Sequence, residues 1–196
     1  MGLNVKLIKT KLTPDLIKTE GLTVVIISIM MIAIYLIASS PLSSNSKQNK
    51  ISIDKQYFSN GTVKKSTTRR NGLKDGVENE YYPNASIEWH SNYKNGLKDG
   101  IQEWFNTKGI LEWECNYKED KKNGMEKIYY RSGALRRETE YKMGHKHGWE
   151  RVYFKTGEMQ LEIKYYNNMY HGPYIKYNKN GKVLIKHRYL NNKIVK

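Results

Sequence analysis

Cysteine is almost missing: Cys115 is the only one in 196 residues, so no internal disulfide can form and no cysteine-based zinc site can be built. Acidic residues are also short, 19 Asp/Glu against 34 Lys/Arg, and the net charge of +15 suits an anionic partner or surface. Phenylalanine is scarce at three, yet Tyr reaches 16 and Trp four while mean hydropathy is only −0.77. Aromatics in so polar a chain fit two-sided β-sheets, where rings cover a pleated surface and charges keep it soluble. None of the five histidines sits with a serine or cysteine in a nucleophile motif. The sequence therefore offers no catalytic residue, and no enzyme, cofactor or metal centre is expected.

Charge of either sign is absent between Glu20 and Lys47. Within that gap Leu22 to Ala38 reads LTVVIISIMMIAIYLIA, and residues 21–40 as a helix would span about 30 Å, enough for a bilayer. Lys6, Lys9, Lys11 and Lys18 precede it, so the positive-inside bias puts residues 1–20 in the cytoplasm and everything after Ser40 outside, extracellular or periplasmic. A cleaved signal peptide is the alternative, although the apolar run is long for one and Pro41 disfavours cleavage after Ser40. Residues 41–50 read as a flexible stalk.

Residues 51–196 are periodic. Gly61, Gly109, Gly133, Gly157 and Gly181 are spaced in multiples of 24, with Ala85 in the open slot. A second column is Gly72, Gly96 and Gly144, with Asp120, Asn168 and Asn192 in its other places; a third, Gly76, Gly100, Gly124, Gly148 and Gly172, has no exception. Aromatic columns run Tyr57, Tyr81, Phe105, Tyr129, Tyr153, Tyr177 and Tyr93, Tyr117, Tyr141, Tyr165, Tyr189. Such recurrence marks a repeat array.

Each unit parses as a β-hairpin. Glu158 to Tyr165 alternates apolar and polar, a polar loop with the second and third glycines follows, and a shorter strand such as Trp149–Phe154 leads to the next turn. If Lys155–Gly157 is a three-residue loop, Tyr153 pairs with Met159, and Trp149, Tyr153, Met159, Leu161, Ile163 and Tyr165 are expected on one face. About twelve strands are expected, in a sheet on the order of 50 Å long. His145 and His147, which resemble a metal or catalytic pair, fall in the loop columns and read as turn chemistry.

The aromatic-x-x-Gly step followed by a strand and a Gly-x-x-x-Gly turn, clearest in Tyr129–Gly133 and Tyr141–Gly148, resembles the MORN repeat in the variant form found in many bacterial proteins. The resemblance implies a single-layer antiparallel sheet of stacked hairpins, which the spacing favours independently. It also implies a scaffold that binds proteins or lies at membranes, and for bacterial variants an antitoxin that neutralises a toxin by protein–protein binding. It brings no catalytic residues.

The expectation is thus an all-β, single-layer antiparallel sheet of 24-residue hairpins behind one N-terminal transmembrane helix. It acts as a non-enzymatic, membrane-anchored module for a protein partner or an anionic membrane or polymer. Candidate binding residues are Trp89, Tyr93, Trp113, Tyr117, Tyr141, Trp149 and Tyr165, with Tyr82, Trp104, Tyr130 and Phe154 on the opposite face. Residues 51–196 carry 28 Lys/Arg and 17 Asp/Glu in scattered pairs. Nucleic acid is disfavoured because the topology keeps the domain away from it, and an antitoxin requires a cytoplasmic sheet instead.

Overall fold

A computed structural model of the chain describes residues 49–195. The expected transmembrane helix from Leu22 to Ala38, the cytoplasmic segment and most of the stalk lie outside the described residues. Among the described residues no helix is long and apolar enough to cross a membrane.

These residues form one open antiparallel sheet in which chain order is spatial order. Its strands are β1 (Ile51–Tyr57), β2 (Val63–Arg70), β3 (Leu73–Tyr81), β4 (Ile87–Lys94), β5 (Leu97–Phe105), β6 (Leu111–Lys118) and β7 (Lys121–Tyr129). Then come β8 (Leu135–Lys142), β9 (His145–Tyr153), β10 (Met159–Tyr166), β11 (Met169–Tyr177), β12 (Val183–Leu190) and β13 (Lys193–Val195). Thirteen strands replace the expected twelve because the chain turns once more after β12 into a three-residue strand.

Two kinds of turn alternate. One is the three-residue loop, and Tyr153 does pair with Met159 across it. The other is a two-residue turn with both residues at positive φ, as at Asn95 (50°) and Gly96 (89°), whose twist matches that of the flanking strands. This second turn is much shorter than the expected loop. The third-column glycines are not in it; they lie inside β3, β5, β7, β9 and β11, at bulges where the register shifts by two residues. Gly148 shows why: at φ 123°, a Cβ there would sit 2.7 Å from Cβ of Glu140 on β8. His145 and His147 are accordingly strand residues of β9, not turn residues.

The two-residue turns are stitched to one another. Asp120 N–H donates to Lys98 O at 3.0 Å, and Asp120 Oδ1 accepts from Lys98 N–H at 2.7 Å. Asn168 bonds Lys146 in the same way, and Asn192 bonds Tyr170. Where the second column holds Gly96 or Gly144, that residue itself contributes only the backbone bond. The Asp and Asn substitutes thus do more than tolerate positive φ: each adds a side-chain link to the preceding hairpin.

A second bulge follows each three-residue loop. Met159 pairs with Tyr153, but Leu161 pairs with Val152, Ile163 with Glu150 and Tyr165 with Gly148. The extra residue inverts the alternation, because side chains along a strand point to opposite faces in turn. The six residues expected on one face are therefore split. Leu161, Ile163 and Tyr165 share what we call the first face; Trp149, Tyr153 and Met159 lie on the second.

Candidate binding face

A single row crosses the first face at right angles to the strands. Thr67 pairs with Glu78, Glu78 with Ser91, Ser91 with Gln102, Gln102 with Cys115, and the row continues through Glu126, Thr139, Glu150 and Ile163. Apart from Gly148 and Tyr165, which pair with each other beside it, this row holds every buried residue among those described. A one-layer sheet has no second sheet to cover it, so its interior is a line of small or acidic residues roofed by longer neighbours on the same face.

The roof is built from lysine, tyrosine and tryptophan. Lys74 reaches Glu78 four residues on at 2.8 Å and lies 4.4 Å from the Tyr93 ring centre. Lys122 pairs with Glu126 and lies 4.9 Å from Tyr141; Lys146 pairs with Glu150 at 2.5 Å and lies 4.7 Å from Tyr165. Each ammonium is thus held by a carboxylate and an aromatic face together. Glu126 also accepts from Trp113 Nε1 at 3.1 Å and from Tyr141 Oη at 3.4 Å. Burial alone would raise the carboxyl pKa of Glu78 and Glu126. Hydrogen bonds from Lys74, Thr67 and Lys65 in one case, and from Lys122 and Trp113 in the other, outweigh it and hold both below 4.5.

One unit departs from this pattern. Gln102 replaces the acid, and Lys98, 5.4 Å from the Tyr117 ring, has no carboxylate partner among the described residues. Gln102 Nε2 donates to Asn92 O at 3.0 Å, while its buried Oε1 has no partner. Around it stand three tryptophans, since Trp89 pairs with Trp104 and Trp104 with Trp113. Trp89 and Trp113 stack with ring centres 5.3 Å apart, and Trp89 Nε1 donates to Ser91 Oγ at 2.6 Å. An open cleft of about 400 Å³ lies beside them, lined by Glu80, Glu88, Trp89 and Trp104.

Of the seven candidate residues, the structure gathers Trp89, Tyr93, Trp113, Tyr117, Tyr141 and Tyr165 on the first face. Trp149 is the correction. The bulge after the loop puts it on the second face, between Lys164 at 4.8 Å and Arg151 at 5.4 Å. Trp104, expected opposite, joins the first face by the same parity. Sequence reasoning missed the roofing lysines and row carboxylates, although Lys74/Glu78, Lys122/Glu126 and Lys146/Glu150 repeat a four-residue spacing every 24 residues.

The second face carries its own ladder. Tyr129 Oη donates to Glu114 at 2.7 Å, Tyr153 to Glu138 at 2.8 Å and Tyr177 to Glu162 at 2.6 Å. Burial, then the Glu138 hydrogen bond, pushes the Tyr153 phenol up to about 12. Four of the five histidines make local bonds, among them His90 to Asn79 at 2.8 Å and His147 to Asn167 at 3.3 Å with its ring 4.9 Å from Tyr166. Among the described residues no three His, Cys, Asp or Glu side chains cluster as a metal site. Cys115 is fully buried, and burial pushes its thiol up to about 12, which keeps it from acting as a nucleophile.

Residues 122–143 and 170–191 match the family model for the MORN repeat variant. No curated protein matches the sequence. Among solved structures, a chain of the GtfA/B complex bound to UDP and GlcNAc aligns over 70% of this chain and 24% of its own, at 11% identity and a TM-score of 0.21. This chain thus spans about a quarter of that chain's length.

Proposed function

We propose that the chain is a non-enzymatic binding module whose aromatic, lysine-rich first face engages a protein partner. MORN repeats serve in general as protein- and membrane-binding modules, and two stretches of this sheet match them. The observation that carries the reading is the roofed row: six expected aromatics and the roofing lysines line up on one face that no second layer among the described residues covers. Rigid aromatics and cations held in place lose little conformational freedom on binding, as interface anchors require. A photo-crosslinking residue at Ile128, on the first face, should yield adducts with the partner, and one at Lys127, on the second, should not. Adducts from Lys127 alone would overturn the reading.

The membrane anchor belongs to the same proposal and rests on the Leu22–Ala38 run and the lysines before it. Lys155→Cys in a Cys115→Ala background puts one thiol on an exposed turn. An impermeant maleimide should label it in intact cells. Labelling only after lysis would mean a sheet inside the cell, where an antitoxin works.

A further inference from the structure

The last carboxylate in the sequence is Glu162. Beyond it the described residues hold Lys164, Lys176, Lys179, Lys182, Lys186, Arg188 and Lys193 with no Asp or Glu. Every ion pair among the described residues lies between Asp54 and Arg151, so none of these seven cations is neutralised by one. The Lys–Glu pattern stops here too: Tyr170 and Tyr174 stand where earlier units have Lys146 and Glu150. The cations look scattered in the whole chain, but after β10 they are the only charges.

The same end carries uncovered aliphatics. Leu184 is 56% exposed and Ile194 60%, and seven of the eight β12 residues are exposed where the middle strands are mostly half-buried. β13 pairs only with Arg188, Tyr189 and Leu190, which leaves Val183 to His187 unpaired on that side among the described residues. A groove of about 510 Å³ opens there, lined by Pro173, Lys186, His187, Arg188, Ile194 and Val195. Cations flank it, and its floor is aliphatic.

We propose that this edge binds an acidic, extended segment of a partner polypeptide. Its carboxylates meet Lys186 and Arg188, its apolar side chains enter the groove over Pro173, Ile194 and Val195, and it lies along the open side of β12 as an added strand. Two observations select a polypeptide over other anions. Lys186 and Arg188 project from the second face while Lys176 projects from the first, opposite Ile185. A planar bilayer would engage one face, whereas a segment wrapping the edge meets both. The tryptophans lie elsewhere, Tyr174 and Tyr189 pack against each other at 6.0 Å, and the one ring lining the groove, His187, is already set edge-on against Tyr189 at 6.3 Å, so the groove offers no aromatic platform for successive bases. This edge is separate from the aromatic face and stands or falls without it.

The test uses the full chain in detergent and a labelled peptide of about ten residues alternating Glu and Val, read by fluorescence anisotropy. Binding is expected to weaken about tenfold when salt rises from about 50 to about 300 mM. It is expected to weaken at least about tenfold in the double variant Lys186→Glu/Arg188→Glu, and to be unchanged in Lys64→Glu/Lys108→Glu. A peptide with Lys for Glu should not bind. Equal losses in both double variants, or binding of the Lys peptide, would overturn the proposal. So would phosphatidylglycerol vesicles or oligothymidine binding with the same dependence on Lys186 and Arg188, because the edge would then be a general anion surface.

Discussion

Trp89 and Trp113 stack at 5.3 Å although β5 runs between their strands. Two strand spacings are about 9.6 Å, so the rings lean toward each other across β5, the strand that carries buried Gln102. Such a pair couples repeats that share no ladder hydrogen bond. Trp89→Ala and Trp113→Ala should each destabilise, and a double-mutant cycle by urea unfolding should give a coupling of about 1 kcal/mol. Additive losses would show that the rings only cover area.

Gln102 invites repair. Gln102→Glu restores the acid found at Glu78, Glu126 and Glu150, trading the bond from Nε2 to Asn92 O for a charge within reach of Lys98. It should stabilise by about 1 kcal/mol through a new pair with Lys98, visible as a higher Tm. Glu126→Gln, the reverse change one unit later, should cost about 2 kcal/mol because Lys122 loses its partner and Trp113 an acceptor.

Stability should fall at both ends of the pH scale. Glu78 and Glu126 have folded pKa values below the ordinary glutamate value of 4.5, so their contribution is complete above pH 4.5 and is lost as pH drops through the folded values. Tyr153 rises from 10.0 to about 12 and Cys115 from 9.0 to about 12. Their contribution is complete below pH 9 and is lost as pH climbs toward 12. Circular dichroism against pH checks this: Glu126→Gln should flatten the acid limb and Cys115→Ala the start of the alkaline one.

Two glycines with the same φ class should behave differently. Gly61→Ala meets nothing within 4 Å and should cost about 1 kcal/mol of backbone strain. Gly148→Ala adds a clash with Glu140 and should cost about 3 kcal/mol or more. Pairing it with Glu140→Gly should recover part of that loss.

Much of the fold is legible in the residues themselves: the first two glycine columns mark the turns, although the third marks bulges inside strands, and the Tyr153–Met159 pairing follows from loop length alone. What stays hidden is parity. Each hairpin contains two bulges, and since every repeat carries them they leave no break in the 24-residue spacing to betray an inverted face. Trp149 and Trp104 lie on the faces opposite to those their spacing predicts for that reason. The site suffers likewise: an alternating strand shows which residues share a face, while the lysine four residues from a glutamate becomes its partner only after Gly124 or Gly148 bulges the strand between them.

Because chain order is spatial order, each hairpin needs only its immediate neighbours to close. Zipping can begin at any repeat and spread by short loop closures, a regime of rapid, low-contact-order folding. A nascent chain emerging from the ribosome could therefore stack each hairpin as it appears, with no wait for a distant terminus to complete a core.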